Sequence, residues 1–360
     1  MITFTNFQNE ALSTANEIRK GIIDKAPRAG KCFVGLKHID DCNYQKVLWI
    51  IPTADFDLLT EIKKLELEKL IPLIKTCHQK SFPKYYKESW DLIIWDEIQD
   101  ITKANAELLG QVSCNIIALT GTYPNDKYKK YRLEHIAKLP IIYSFPIDKA
   151  IDEKVIRDYH ITVHQIPLDI KENIPVSLPN GSKFITSERK TYDSLVRKMI
   201  SYQETTGFKS SKLAIYTLKV VNGFKSKIEF VKKLIKQLDG RYLIFVEDTK
   251  IADNLGYPCY HSKTSLENLN KFNNEEIDKL VLVNKGSTGK TYTNVDGCIL
   301  VSVNSSNDYI LQRLFRAAIY IEGKISDHHI IISKDTIQEA YLETALVDLD
   351  NEKIDRIKYE

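Results

Sequence analysis

Residues 91–99 read DLIIWDEIQ, an apolar run from Leu92 to Trp95 that ends in two adjacent acids, Asp96 and Glu97. A short apolar run bounded by polar residues is the pattern of a strand buried on both faces, as in a parallel sheet covered by helices. Open α/β sheets bind their ligands beyond the carboxyl ends of their strands, so the acid pair stands where chemistry is expected. Adjacent carboxylates there suit Mg²⁺ coordination by Asp96 and activation of a water by Glu97.

Outward from this stretch, similar runs recur at Lys46–Pro52 (KVLWIIP), Asn115–Thr120 (NIIALT), Arg241–Val246 (RYLIFV), Lys279–Val283, Cys298–Val303 and His328–Ser333. Between them lie stretches of helical period, including Ser226–Leu238, where Ser226 and Glu229 read as a capping box, and Asp308–Tyr320. This alternation predicts an α/β protein with two mostly parallel sheets flanked by helices. From Ile141 to Pro179 the pattern loosens into short extended pieces and prolines. The expected division is therefore a first domain over 1–150, a connection over 151–180 and a second domain over 181–360.

The length of 360 residues supports two or three cores, and 43% hydrophobic with 28% charged residues excludes a disordered chain. A net charge of +3 neither demands nor excludes a polyanionic partner, so charge has to be argued locally. Six cysteines without a CxxC pair give neither a disulfide framework nor a readable zinc site. No basic patch followed by an apolar core opens the chain, and apolar runs such as Val47–Pro52 fall far short of the roughly 18 residues of a membrane span. A cytoplasmic protein with no membrane partner is expected.

Two further segments join the acid pair. Lys25–Cys32 reads KAPRAGKC, a loop ending in Gly-Lys, in which backbone N–H groups and the Lys31 ammonium can face phosphate oxygens. The full GxxxxGK[ST] pattern is not met, since Lys25 stands at its first glycine and Cys32 at its hydroxyl. Ala118–Pro124 reads ALTGTYP and again closes an apolar run, offering Thr120 and Thr122 as hydrogen-bonding hydroxyls. Gly289-Lys290-Thr291 also mimics a phosphate loop, but Asn294-Val295-Asp296-Gly297 and a strand follow it where such a loop needs a helix.

In this order the motifs resemble those of the superfamily 2 helicases, and the resemblance runs over nearly the whole chain. Gln8 in NFQNEA looks like the adenine-reading glutamine, APRAGKC like motif I, IIPTADFDLL (50–59) like motif Ia, WDEIQ like motif II and LTGTYP like motif III. YLIFVEDT (242–249), GSTGKTYTNVDGCIL (286–300) and LQRLFRAAI (311–319) look like motifs IV, V and VI. Motifs V and VI are most similar to phage UvsW-type branch-migration helicases. The resemblance implies two tandem RecA-like domains with a nucleotide site in the cleft between them. It implies ATP and Mg²⁺ as cofactors, with Gln8, Pro27, Arg28, Ala29, Gly30, Lys31, Cys32 and Gly289 at the nucleotide. Lys31, Asp96, Glu97, Gln99, Gln312, Arg313 and Arg316 are implied in catalysis. Thr53, Thr120, Thr122, Ser287 and Thr288 are implied on nucleic acid.

Departures accompany the match. In the motif VI pattern QxxGRxxR, Phe315 replaces the glycine and Ile319 the last arginine, which leaves Arg316, with Arg313 second, as the residue reaching the γ-phosphate. The Cys32 thiol is a poor direct ligand for Mg²⁺ beside Asp96, so either a water takes that position or hydrolysis is slow. Tyr85, Tyr86, Tyr123, Tyr128 and Tyr131 cluster in sequence near Lys84, Lys87, Lys127, Lys129 and Lys130, a composition able to stack bases and meet phosphates. Two functions stand open: an ATP-driven helicase or translocase on single-stranded or branched nucleic acid, DNA favoured over RNA and a recruiting protein involved, or a weakened helicase-like clamp that binds nucleic acid or a protein. The phage resemblance would place the former in the host cytoplasm.

Overall fold

The computed structural model describes residues 5–51, 58–177, 181–283, 292–303 and 307–360. Thr53, Ser287, Thr288 and Gly289 lie outside the described residues. The described residues divide into two units, the first lying within 5–158 and 318–324, the second within 159–283, 292–317 and 325–360.

The first unit is built on strands β1 (Lys20–Lys25), β2 (Val47–Ile51), β3 (Ile74–His78), β4 (Leu92–Asp96), β5 (Asn115–Thr120) and β6 (Ile141–Phe145). Their order across the sheet is β3-β2-β4-β5-β1-β6, and every pair is parallel. Helices α1 (Asn6–Ile18), α2 (Lys31–Asp41) and α3 (Leu58–Lys64) bring Ala11, Ala15, Val34, Ile39 and Ile62 against Trp49, Ile94 and Leu119 on one face. On the other face, α4 (Lys103–Leu109) packs Ala106 and Leu109 with Phe82 against Trp95, Ile116 and Ala118. Two covered faces explain why the central strands are apolar without alternation. Two shorter helices, α5 (Lys127–Tyr131) and α6 (Ile147–Asp152), complete the unit.

The second unit opens with β7 (Tyr159–Ile166), a small antiparallel hairpin of β8 (Ile174–Ser177) and β9 (Lys183–Thr186), and three helices, α7 (Glu188–Thr206), α8 (Ser211–Asn222) and α9 (Lys225–Gln237). There follow β10 (Tyr242–Val246), α10 (Thr249–Leu255), β11 (Cys259–Tyr260), α11 (Glu267–Asn273), β12 (Lys279–Val283), β13 (Gly297–Leu300), α12 (Asn307–Leu314), β14 (Ser326–Ser333), α13 (Ile337–Leu346) and β15 (Ile354–Lys358). Seven strands form one parallel sheet in the order β11-β12-β10-β13-β14-β7-β15. Ile228, Val231 and Ile235 of α9 and Ile251 and Leu255 of α10 seal one face over Ile244, Ile299 and Ile331. The α/β class with two mostly parallel, helix-flanked sheets is thus what the chain forms.

Two expectations need correction. The span 151–180 is not simply a connection, because β7 pairs over eight residues with β14 and over five with β15. Its two histidines disguised it. His329 Nε2 donates to Asp327 Oδ2 (3.0 Å), so its Nδ1 accepts from His164 Nε2 (3.0 Å), whose Nδ1 in turn accepts from the Tyr359 hydroxyl (2.9 Å). Both buried rings are satisfied while neutral, and burial, with His329 beside it, pushes the His164 pKa down to about 4. The capping box at Ser226 does not form either. The helix starts at Lys225, and Ser226 instead donates from its hydroxyl to Glu188 Oε2 (2.5 Å) and from its backbone N–H to Glu188 Oε1 (3.0 Å).

Candidate active site

The strand order of the first unit sets β4, β5 and β1 side by side, so the segments that follow them share one edge of the sheet. Beyond β1 the chain turns through Arg28 and Gly30, both left-handed (φ +70° and +75°), and enters α2 at Lys31. The result is a strand, a tight loop and a helix whose first N–H groups have no intrahelical partner, a geometry suited to an anion. Gly30 is required twice over. Its φ disfavours any side chain, and a Cβ there would lie 2.4 Å from Gln8 Nε2. Gln8, at the start of α1, accepts the Thr5 N–H on Oε1 (3.1 Å) and so turns its amide toward the loop.

Beyond β4, Glu97 adopts φ +52°, and its carboxylate lies 3.5 Å from the Lys31 ammonium. Beyond β5, Gly121 is the close approach: a Cβ there would meet Lys31 Nζ at 2.7 Å and Glu97 Oε2 at 3.9 Å. A chain of hydrogen bonds ties the second and third motifs together. Gln99 donates from Nε2 to Glu97 Oε2 (2.7 Å), Thr120 donates from its hydroxyl to Gln99 Oε1 (2.7 Å), and Thr122 donates its N–H back to Thr120 Oγ1 (3.3 Å). Gln99 and Thr120 are buried, so this linkage is shielded from competing water.

Asp96 is buried at the end of β4 and accepts the Glu97 N–H on Oδ1 (3.1 Å); burial, then Glu97, raises its pKa, which Lys31 opposes. It borders a cavity of about 30 Å³ lined also by Ile51, Gln79, Trp95, Glu97 and Asp100, room for one or two waters. The neighbouring Cys32 thiol is held well above its ordinary pKa by burial and by Asp96. A triphosphate fits this donor set: amides and an ammonium for phosphate oxygens, and an amide on the loop for a base. Magnesium fits it through the Asp96 carboxylate, waters and phosphate oxygens, with Cys32 no ligand while it keeps its proton.

Sequence reasoning registered Lys25 only as a departure and missed Asp24. Lys25 is fully buried, its ammonium has no hydrogen-bond partner among the described residues, and it sits 4.9 Å from the centre of the Phe7 ring, which stacks on Phe145 at 4.3 Å. Burial, then repulsion from Lys31, brings its pKa down to about 7. Asp24 is raised by burial, against the pull of Lys31. The signal was available: a central strand, KGIIDK, that carries an acid and a lysine at its carboxyl end.

In the second unit, Gln312 and Arg313 lie on α12 and Arg316 just beyond it. Arg313 is buried with its guanidinium 5.3 Å from the Phe245 ring centre, whereas Gln312 and Arg316 are half-buried. Phe315 is buried edge-on against Tyr159 at 5.5 Å, which accounts for a ring where the motif has glycine. The tyrosine cluster divides: Tyr85, Tyr86 and Tyr123 pack against the core, while Tyr128 and Tyr131 stand exposed on α5. Asp253, Cys259 and His261 bring ligand atoms within 4.8 Å of one another, but His261 Nδ1 already accepts the Lys263 N–H (3.2 Å). No helix among the described residues is long and apolar enough to cross a membrane.

No protein-family model matches the sequence, and no curated protein matches it. Solved structures do match in fold. An ATP-dependent Type ISP restriction-modification enzyme, LlaBIII, bound to DNA, aligns over 99% of this chain and 31% of its own, with a TM-score of 0.63 at 13% identity. The Mycobacterium smegmatis helicase Lhr, bound to single-stranded DNA and AMP-PNP, aligns over 96% of this chain and 47% of its own (TM-score 0.55, 15% identity). The Pyrococcus furiosus Hef helicase domain aligns over 94% of this chain and 97% of its own (TM-score 0.51, 13% identity). The chain therefore spans less than half of the first two proteins. The class defined is an α/β protein of two RecA-like domains, the fold these helicase and restriction-enzyme structures share with it. These likenesses extend to that fold and do not single out the UvsW branch.

Proposed function

We propose that this chain is a nucleic-acid-stimulated ATPase that works as a superfamily 2 translocase or helicase. The observation that carries the reading is the meeting of Lys31, Glu97 and Gly121, with Asp96 adjacent, beyond three parallel strands. Lys31 would hold the β- and γ-phosphates, Asp96 would hold Mg²⁺, which supplies charge neutralisation, and Gln8 would read the base. In the structure Lys31 and Glu97 satisfy each other. Exchange of Glu97 for phosphate oxygens at Lys31 frees the carboxylate to take a proton from water, so nucleotide occupancy arms the base. The Gln99–Thr120–Thr122 chain is the proposed route by which Glu97 reports its partner to bound nucleic acid, and contact with nucleic acid is the role proposed also for Thr53, Ser287 and Thr288. Arg316, with Arg313 second, is proposed to supply positive charge during phosphoryl transfer.

LlaBIII is bound to DNA and Lhr to single-stranded DNA with AMP-PNP, which supports DNA and ATP as partners here. The resemblance of motifs V and VI to phage branch-migration enzymes makes forks and Holliday junctions the first substrates to try, in phage or cellular DNA replication, recombination or repair. The test is the ATPase rate with and without single-stranded, forked and four-way DNA and RNA. Stimulation by nucleic acid, abolished in Glu97→Gln, is expected. The Cys32 thiol favours the second reading, a weakened clamp, and that reading prevails if no nucleic acid stimulates turnover and Glu97→Gln changes nothing.

A further inference from the structure

The chain between Arg197 and Lys219 forms the outer part of the α7–α8 hairpin. Tyr192 of α7 and Val221 of α8 belong to a small core with Leu168 and Phe224, and Thr217 Oγ1 reaches Met199 Sδ at 3.7 Å across the two helices. Beyond that contact the core ends. Every residue from Ile200 to Lys209 is exposed, and the turn at Gly207 (φ +73°) has open space around it. This arm nevertheless carries large apolar groups into solvent: Phe208 is 77% exposed, Ile215 65%, Tyr216 56%, Ile200 51% and Tyr202 44%. Exposed apolar surface concentrated on one protrusion marks a binding surface.

The charges say what kind. Between 197 and 219 stand Arg197, Lys198, Lys209, Lys212 and Lys219 against the single acid Glu204. Among the described residues only Lys219 has an acid partner, Asp248 at 3.5 Å, and the other four cations have none. Unpaired cations interleaved with exposed rings complement a polyanion that carries flat aromatic groups. In sequence the rings lie six to eight residues apart and draw no attention. Folding the segment back on itself at Gly207 puts them on one helical hairpin.

We propose that the α7–α8 arm is a docking surface for one strand of nucleic acid, with Arg197, Lys198, Lys209 and Lys212 on phosphates and Phe208, Tyr202 and Tyr216 against bases. The choice of partner rests on the proposed function; the surface itself rests on the exposure and charge of the arm.

The test is fluorescence anisotropy of the full chain with labelled oligo-dT and oligo-U across a salt series, with thermal unfolding as the control for folding. Lys209→Glu/Lys212→Glu is expected to weaken binding at least about tenfold and to flatten the dependence of log affinity on log salt by about 1.4, since each phosphate contact contributes about 0.7 for single strands. Phe208→Ala is expected to weaken binding about fivefold or more with the salt slope unchanged, because stacking releases no counterions. Tight binding by the wild type with no loss in either variant overturns the arm and leaves the proposed function standing. Failure of the wild type to bind either oligonucleotide removes both. Phe208-dependent sedimentation with phosphatidylserine vesicles, without an effect on oligonucleotides, assigns the arm to a lipid surface and overturns the proposal.

Discussion

In the proposed site Cys32 stands in place of a hydroxyl that would meet Mg²⁺, and burial, then Asp96, holds the thiol of this half-buried residue well above its ordinary pKa. Cys32→Thr supplies a hard oxygen of similar size, so ATP turnover at saturating Mg²⁺ should rise several-fold; a steady-state rate that stays level or falls would refute the argument. At Gly121 the claim is steric. A methyl in Gly121→Ala pushes on the Lys31 ammonium, the movable end of a long side chain, so the fold should survive while the KM for ATP rises several-fold. Lys25 offers a test in pH. Its folded pKa, about 7, lies below the ordinary lysine value of 10.5, so the unfolded chain takes up the proton first as pH falls. Wild-type stability should therefore drop relative to Lys25→Met between pH 10.5 and 7, by roughly a few kcal/mol at about 1.4 kcal/mol per pKa unit, and the gap should be constant below pH 7. Denaturant melts of both proteins across that range check it, and parallel curves would mean that the ammonium is not desolvated as described.

At the scale of elements, the strands that ended in chemistry were legible and those that carried polar groups inside were not. DLIIWDEIQ, NIIALT and RYLIFV are continuous apolar runs because both faces of their sheets are covered, and the structure places strands at all three. KGIIDK and YHITVHQI escaped because Asp24, Lys25, His160 and His164 interrupt the run; the first pair feels the charge of Lys31, and His164 is satisfied by His329 and Tyr359. Lys31, Glu97 and Gln8 could be named from their motifs, but the closeness of Gly121 to Lys31 and the Gln99–Thr120 bond depend on strand order, which no local pattern encodes. The histidine pair also sets an acid limit. With its folded pKa near 4, His164 makes no loss above pH 6.5 and costs stability progressively as pH falls from 6.5 to 4. Its ring resonances should titrate near 4 by NMR, and a midpoint near 6.5 would mean the relay is open to water.

For the whole molecule the proposed cycle needs both units, and a substitution in the second should separate binding from turnover. Arg316→Ala should lower kcat about a hundredfold or more while leaving the affinity for a nonhydrolysable ATP analogue within a few-fold, and Arg316→Lys should recover part of the loss. Equal loss of affinity and turnover would instead make it a structural residue. Another consequence concerns synthesis. β7 sits between β14 and β15, so the first strand of the second sheet takes its neighbours from the last two. On the ribosome the first unit's sheet has all its strands by residue 145, whereas β7 must wait, edges bare, for nearly two hundred more codons to be translated. A message truncated ahead of residue 326 should leave that strand without either neighbour and mark the nascent product for chaperones or proteolysis.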